Sequence, residues 1–420
     1  MKHAWRAFLV GLLLGGGWQP AVAQQAELAQ LDDALIQQAF YPYAVEKPAL
    51  AGLEPGTNIS ADSWQAAESY LPVEILDKIK AGEFAFSVQE TTDLPVSEAY
   101  IEATRQHAGQ VRIGDDGELS GYVAGLPFPV LDPADSQAGE KAAWNVRHRD
   151  LGDTLQVWNT FRLLDASGEA DREFENYYVV AQGMHRPRAE ANRWEEDGVL
   201  QKEFFHMITP FDLKNTMSLK HRFAKDSAKD ADWMYTPASR KIRKLIVKHE
   251  DASFDSGFLN EDFFGYSGYI SASSWKLLGS RLMLAPVGAK AAATTFGGRG
   301  TWYPVDPWEL RHMWVLENIP KASDHPYSKR LLYIDQQMFV PVYMLAYDRD
   351  GTHHKTLFEL YGNPQFNPGN EHIRAPMWVG ESMIDYENNF ASMTEVDKVV
   401  YDQPLPDDFF QLNQIVARGR

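Results

Sequence analysis

The chain has 420 residues, with 40 Lys and Arg against 58 Asp and Glu and a formal net charge of −18; this acidic excess argues against nucleic acid and anionic membrane surfaces, whose binding depends on clustered Lys and Arg. Cys is absent, which excludes disulfides, thiolate catalysis, thiolate metal sites and a lipid-bearing Cys anchor. Hydrophobic residues at 44% and aromatics at 12% are enough for a large core and exclude a disordered chain.

In chain order, the first element is an export signal. Lys2 and Arg6 give a positive start, Ala7 to Gly17 is a short apolar run, and Ala21-Val22-Ala23 is a small-residue cleavage site. Residues 1–23 are therefore expected as a signal peptide, with a mature protein that starts at Gln24 and carries a charge of about −20 once Lys2 and Arg6 leave. The apolar run is too short to span a bilayer, and no later stretch approaches the roughly 18 uncharged residues that a membrane helix requires. The expectation is a soluble periplasmic or secreted protein that is neither a lipoprotein nor anchored by a transmembrane helix.

Residues 24–58 mix short apolar pieces with Pro42, Pro48 and Pro55 and predict an irregular arm. Asp62 with Gln65 resembles a capping box, and Pro72 fits the first turn of a helix with Val73, Ile75, Leu76 and Ile79 on one face before Gly82. Ser97 predicts the cap of a helix over Glu98 to His107. Asp116-Gly117, between Arg112-Ile113 and Leu119 to Val123, is a hairpin signal, and one more helix is expected around Ala138 to Arg147.

Beyond this point strand-like runs dominate, at Leu155–Leu164, Asn176–Gln182, Glu203–Phe211, Leu213–Phe223, Asp232–Tyr235 and Lys241–Val247, then at Lys276–Ala285, Trp308–Asn318, Arg330–Ile334, Phe339–Arg349 and Thr356–Tyr361. Short loops imply antiparallel neighbours. Trp308, Leu310, His312, Trp314 and Leu316 alternate with Glu309, Arg311, Met313, Val315 and Glu317, which predicts a strand that buries the first set. The coarse fold is α+β, a large antiparallel sheet with helices supplied mainly by the first third of the chain.

Catalytic patterns are weak. Gly265-Tyr266-Ser267-Gly268 lacks the residue that a nucleophile elbow needs between Ser and the second Gly, so it is expected as an aromatic loop. His353-His354 and His249-Glu250 lack the helical spacing of a zinc protease, and His312 is expected as a core imidazole. Asp348-Arg349-Asp350-Gly351 lacks the later ligands of a calcium loop and is expected as a hairpin turn. No fingerprint for a nucleotide, metal or other cofactor is present. An enzyme is not expected.

Several segments resemble the family of Gram-negative envelope proteins catalogued as domain of unknown function 1329 (DUF1329). They are Gly121 to Pro129 followed by Gly139, Lys141 and Ala143-Trp144-Asn145; Tyr235 to Arg243; Trp275 to Gly279; and Tyr333-Ile334-Asp335 leading through Pro341 to Tyr347–Gly351. That family is similar in turn to the outer-membrane lipoprotein-sorting (LolA/LolB-like) superfamily. The resemblance implies one lipoprotein-carrier-like domain over residues 59–420, an incomplete β-barrel with helices covering its open side around a hydrophobic cavity. It also implies partners: a hydrophobic small molecule or lipid, an inner-membrane exporter of the resistance-nodulation-division type and an outer-membrane channel protein.

Strand periodicity nominates Phe161, Leu163, Tyr178, Val180, Trp275, Leu277, Trp314, Leu316, Phe339 and Met344 as the cavity lining. The expected function is a soluble periplasmic carrier of a hydrophobic or lipid-like ligand. A ligand-free adaptor of an envelope transport complex and an envelope hydrolase are the alternatives.

Overall fold

β-Branched and aromatic residues recur between Gly, Pro, Asn and Asp from Thr154 onward, and in the computed structural model these runs pair into one sheet. The structure describes residues 31–419 apart from 45, 190, 254–255 and 291–292. The expected signal peptide and the first part of the arm lie outside the described residues.

The arm is not irregular throughout. Helix α1, Asp33–Phe40, starts at Asp32, whose carboxylate accepts from the Leu35 amide (2.9 Å). Ile36 and Phe40, four residues apart, bury one face, and Pro42 follows its end. The capping box expected at Asp62 yields a single 3-10 turn at Trp64–Ala67, because Ser63 spends its hydroxyl on the Asn58 carbonyl (2.7 Å). Helices α2 (Val73–Lys80), α3 (Glu98–His107, capped by Ser97) and α4 (Ala138–Arg147) form where expected, as does the hairpin around Gly117 at φ 80°. A last helix, α5, covers Leu412–Arg418.

The sheet has fourteen strands. The first six are β1 (Thr154–Asp165), β2 (Ala170–Gln182), β3 (Val199–Met207), β4 (Met217–Phe223), β5 (Ala231–Thr236) and β6 (Lys241–Leu245). The others are β7 (Ser273–Ala285), β8 (Val287–Ala289), β9 (Glu309–Pro320), β10 (Lys329–Asp335), β11 (Pro341–Tyr347), β12 (His353–Gly362), β13 (Met377–Asp385) and β14 (Phe390–Tyr401). Their spatial order is β6-β5-β4-β3-β2-β1-β14-β13-β12-β11-β10-β9-β7, all antiparallel, with β8 added parallel to β12. The chain thus starts in the middle of the sheet and walks out to one edge. It then crosses over residues 246–272 to the other edge and walks back until β14 closes on β1. The two edges do not meet, so the sheet is large and open.

Strands β13 and β14 were not anticipated from the sequence. Every residue of β13 is buried, as is every residue of β11, because both faces of this half of the sheet are covered. A strand covered on both sides has no alternation to detect. One face carries Met313, Val315, Tyr333, Tyr343, Leu345 and Phe358 and packs against α2, Phe84, Phe86, Trp302 and Trp308. The other carries Leu316, Leu332, Met344, Leu357 and Met383 and packs against α4 and the crossing segment.

Strand β9 does not bury the first set alone: Trp308, Leu310 and Leu316 are buried as expected, but so are Glu309, Arg311, Met313 and Val315. Glu309, Arg311 and Met313 have no exposed surface, whereas His312 is exposed and lies parallel to Tyr43, with ring centroids 6.0 Å apart. The expected core imidazole therefore faces outward. Arg311 is enclosed by Asp335 (Nε to Oδ2, 2.7 Å), Glu309 (3.4 Å), Gln337 (3.0 Å) and the Thr92 carbonyl (2.5 Å), with its guanidinium 4.3 Å from the centre of the Tyr43 ring. Gln337 continues the network to the Phe40 and Leu94 carbonyls (both 3.0 Å). Removing one partner of such a network leaves uncompensated charge in the core, so Arg311→Ala is expected to lower the unfolding free energy by about 3–5 kcal/mol. Urea denaturation of wild type and variant checks this.

Candidate functional site

The pairing registers place nine of the ten nominated lining residues on the face that the crossing segment covers. One row runs directly across the sheet through Leu277, Leu316, Leu332, Met344, Leu357, Met383, Ser392 and Leu163. Trp275 and Trp314 lie on the same face beside this row, and Phe161, Tyr178 and Val180 continue it onto β1 and β2. Leu163, Trp275, Leu277, Leu316 and Met344 are buried; Phe161, Tyr178, Val180 and Trp314 are half-buried.

Phe339 stands apart. Strand β11 begins only at Pro341, and Phe339 occupies the turn before it at φ 56°, with its amide donating to the Asp335 carbonyl (2.8 Å). Its ring packs with Phe40, Tyr100 and Leu126 at the end of the sheet. There it lines a cavity of about 10 Å³, room for one water. A groove of about 410 Å³ opens at the surface between residues 47–55, 89–91 and Leu310, away from the nominated row.

On that face the chain supplies its own filling. Ala142, Ala143, Trp144 and Val146 of α4, with Phe128 and Leu131 before it, cover the β7 side. Phe258, Leu259, Tyr266 and Ile270 of the crossing segment cover the middle. A polar clamp fixes this cover. Arg330, without exposed surface, donates to Asp262 (2.9 Å), Glu261 (2.5 Å) and Asn318 (3.0 Å). Tyr327 donates to Asp262 (2.8 Å), and His325 Nε2 lies 2.9 Å from Glu261. Farther along, Lys355 donates to the Gly257 carbonyl and pairs with Asp385 (3.4 Å), and Ser392 donates to the Ser256 carbonyl (2.9 Å). None of these partners was nominated from sequence; a buried Arg on a strand carries no local mark that separates it from a solvated one.

The crossing segment is backbone-strained where it meets the centre of the sheet. Phe264 sits at φ 56° between Tyr178 and Trp378, with ring centroids 6.2 Å and 5.5 Å away, and Gly265 follows at φ 79° with its Cα against Pro341. A side chain at positive φ costs about 1–3 kcal/mol and persists only where its surroundings hold it. Close by lies a buried carboxyl pair in the next row of the sheet, Glu359 and Glu381, in register with Thr394 and Phe161. Trp378 Nε1 donates to Glu359 (2.8 Å) and Thr394 to Glu381 (3.0 Å). Burial, and then the neighbouring carboxyl, push Glu359 well above the usual carboxylate range, and burial raises Glu381 to about 7, so the site favours the neutral form of these groups. Tyr178 donates to a third carboxylate, Glu203 (2.8 Å).

Ser267 donates to the Asn260 carbonyl (3.1 Å), while His325 is engaged with Glu261. Asp348 accepts from the amides of Asp350 and Thr352 (both 2.9 Å), as a hairpin turn requires. Among the described residues no three His, Cys, Asp or Glu side chains gather as a metal site, and no helix is long and apolar enough to cross a membrane. The arrangement is an apolar strip with a buried carboxyl pair at one end, closed by a tethered cover.

Residues 58–414 match the model of a family described as a protein of unknown function (DUF1329). Among solved structures the chain is similar to a putative outer membrane lipoprotein-sorting protein domain from Vibrio parahaemolyticus, with 18% identity and a TM-score of 0.47 over 67% of this chain and 100% of that one. A DUF1329 family protein from Desulfovibrio piger gives 15% identity and 0.48 over 68% and 100%. A LolA superfamily protein from Nitrosomonas europaea gives 16% identity and 0.38 over 65% and 96%. No curated protein matches the chain.

The clamp has a pH signature. Burial alone would raise the Glu261 carboxyl, but the Arg330 guanidinium and the His325 hydrogen bond overcome it and hold the group down to about 2. A depressed acid contributes stability that is complete above the unfolded value near 4.5 and is lost as the pH falls toward 2. Acid titration of unfolding should therefore show a loss of about 3 kcal/mol across that window, and Glu261→Gln should flatten it.

Proposed function

We propose that this chain, which belongs to the DUF1329 family, is a non-enzymatic periplasmic carrier. It would take up an apolar or lipid-like molecule and pass it between an inner-membrane exporter of the resistance-nodulation-division type and an outer-membrane channel protein. The observation that carries the reading is the unbroken apolar row from Leu277 to Met383 across six strands, with a single stretch of chain laid over its middle.

Magnitudes support exchange of that cover for a ligand. A sixteen-carbon chain brought out of water gains about 13 kcal/mol, at about 0.8 kcal/mol per CH₂. Releasing the Arg330 clamp costs about 3–5 kcal/mol, and re-exposing Phe258, Leu259 and Phe264 about 2 kcal/mol each. The balance favours the ligand by only a few kcal/mol, which suits a protein that must also let go. In this reading the polar head of an amphiphile would meet the buried Glu359–Glu381 pair beside that row.

The filled interior favours a second reading, an adaptor that binds no small molecule. Native mass spectrometry of protein extracted gently from a Gram-negative periplasm separates the two, with a co-purifying lipid-like mass expected for the carrier. Phe264→Ala, which removes the ring lodged beside Tyr178 and Trp378, should increase uptake of the fluorescent probe N-phenyl-1-naphthylamine about tenfold, the equivalent of about 1.4 kcal/mol. A clean ligand-free mass together with unchanged probe uptake by this variant would return the adaptor.

A further inference from the structure

We infer that the outer edge of the β2–β6 wing is a docking surface for an anionic lipid bilayer. This surface does not depend on the carrier reading, since a ligand-free adaptor would present it equally. Residues 238–249, Ala-Ser-Arg-Lys-Ile-Arg-Lys-Leu-Ile-Val-Lys-His, hold Arg240, Lys241, Arg243, Lys244 and Lys248 and no acid, in a chain with 58 Asp and Glu. They form the turn into β6, β6 itself at the edge of the sheet, and the first residues of the crossing segment. All five are exposed, and among the described residues none of them forms an ion pair with a carboxylate. Lys244 rests 5.7 Å from the centre of the Trp233 ring.

Apolar groups flank this charge. Ile246, directly after β6, is 98% exposed and Phe211 is 93% exposed, the two highest values among the large hydrophobic side chains described. Phe211 lies in the turn between β3 and β4, which projects from the same end of the sheet as the Arg240 turn between β5 and β6, because alternate hairpins of a meander fall on one side. Leu213 and Lys214 are exposed in the same turn, with Asp212 its one acid. Cations on both faces of an edge strand, Lys241 and Arg243 on one and Lys244 on the other, with water-exposed Phe and Ile at either end, fit a surface that offers negative headgroups above an apolar layer. An acidic protein would meet the charge but leave both apolar groups without a partner.

The net charge of the chain does not prevent this contact. At physiological ionic strength the field of a charge decays over about 8 Å, so carboxylates on the body of the protein are screened from the edge, and the acids next to it in the chain are Glu250 and Asp251, at the Lys248 end. Each cation held at an anionic bilayer is worth about fivefold in affinity.

Cosedimentation of the full protein with vesicles of phosphatidylethanolamine containing roughly one-third phosphatidylglycerol, against vesicles of phosphatidylcholine alone, tests the assignment. Binding to the first and not the second is expected, with loss in high salt. The triple variant K241Q/R243Q/K244Q should weaken it about a hundredfold. F211S and I246S should each weaken it severalfold while leaving the salt dependence intact. All these positions are exposed, and circular dichroism verifies that the variants fold. Equal binding to both vesicles, no binding to the anionic ones, or an unaffected triple variant overturns the inference. So does equally tight capture by poly-glutamate that ignores F211S and I246S, which would assign the edge to an acidic protein.

Discussion

Two arginines without exposed surface, Arg311 and Arg330, stand on neighbouring strands and point to opposite faces of the sheet. Each ties down a different covering segment. Arg311 gathers Asp335, Glu309 and Gln337 and reaches the N-terminal segment through Tyr43 and the Thr92 carbonyl. Arg330 gathers Asp262 and Glu261 of the crossing segment. Buried ion pairs add little net stability over well-packed apolar groups, because desolvation offsets their attraction. What such a pair does enforce is placement. A segment that brought no carboxylate or carbonyl to Arg330 would bury an unpaired charge, so the cover on each face is specified as well as stabilised.

The crossing segment follows from the topology. A chain that begins in the middle of a sheet and completes one wing must travel to the far edge before it can build the other. Residues 246–272 make that journey over a face, and their apolar side chains fill it. Strain and buried acidity meet at the same point on this path. Phe264 is held at a backbone angle that few side chains adopt, and burial raises the nearby Glu359 and Glu381 carboxyls. In the proposed exchange, closed and open forms of this face would differ by terms of opposite sign and similar size: the clamp and its aromatics on one side, the burial of a guest on the other.

Charge is distributed as unevenly as burial. The body of the protein is acidic, and its deepest charges are paired, whereas the edge strand β6 presents cations without counter-charges. A net charge therefore describes the solubility of the whole molecule better than the behaviour of any one rim, since screening makes each surface respond to what lies within a Debye length.

The sequence by itself determined the helices and strands that carry a local signal, including β11, which is buried on both faces but bounded by the Asp350-Gly351 turn. Helices α2 to α4 and every strand except β8, β13 and β14 carry turn residues, caps or alternation that local chemistry enforces. The face on which nine of the ten nominated residues stand was legible for the same reason, because side chains on a strand alternate whatever the partner. The tertiary structure alone decided what the period cannot encode. β13 is covered on both faces and loses its alternation, and Glu309 and Arg311 go inside because Asp335, Gln337 and Thr92 arrive from elsewhere in the chain. Phe339 leaves the strand because its amide closes a turn on Asp335. That the apolar row is filled rather than hollow depends on which distant segment crosses it, and such a contact is written in no local pattern.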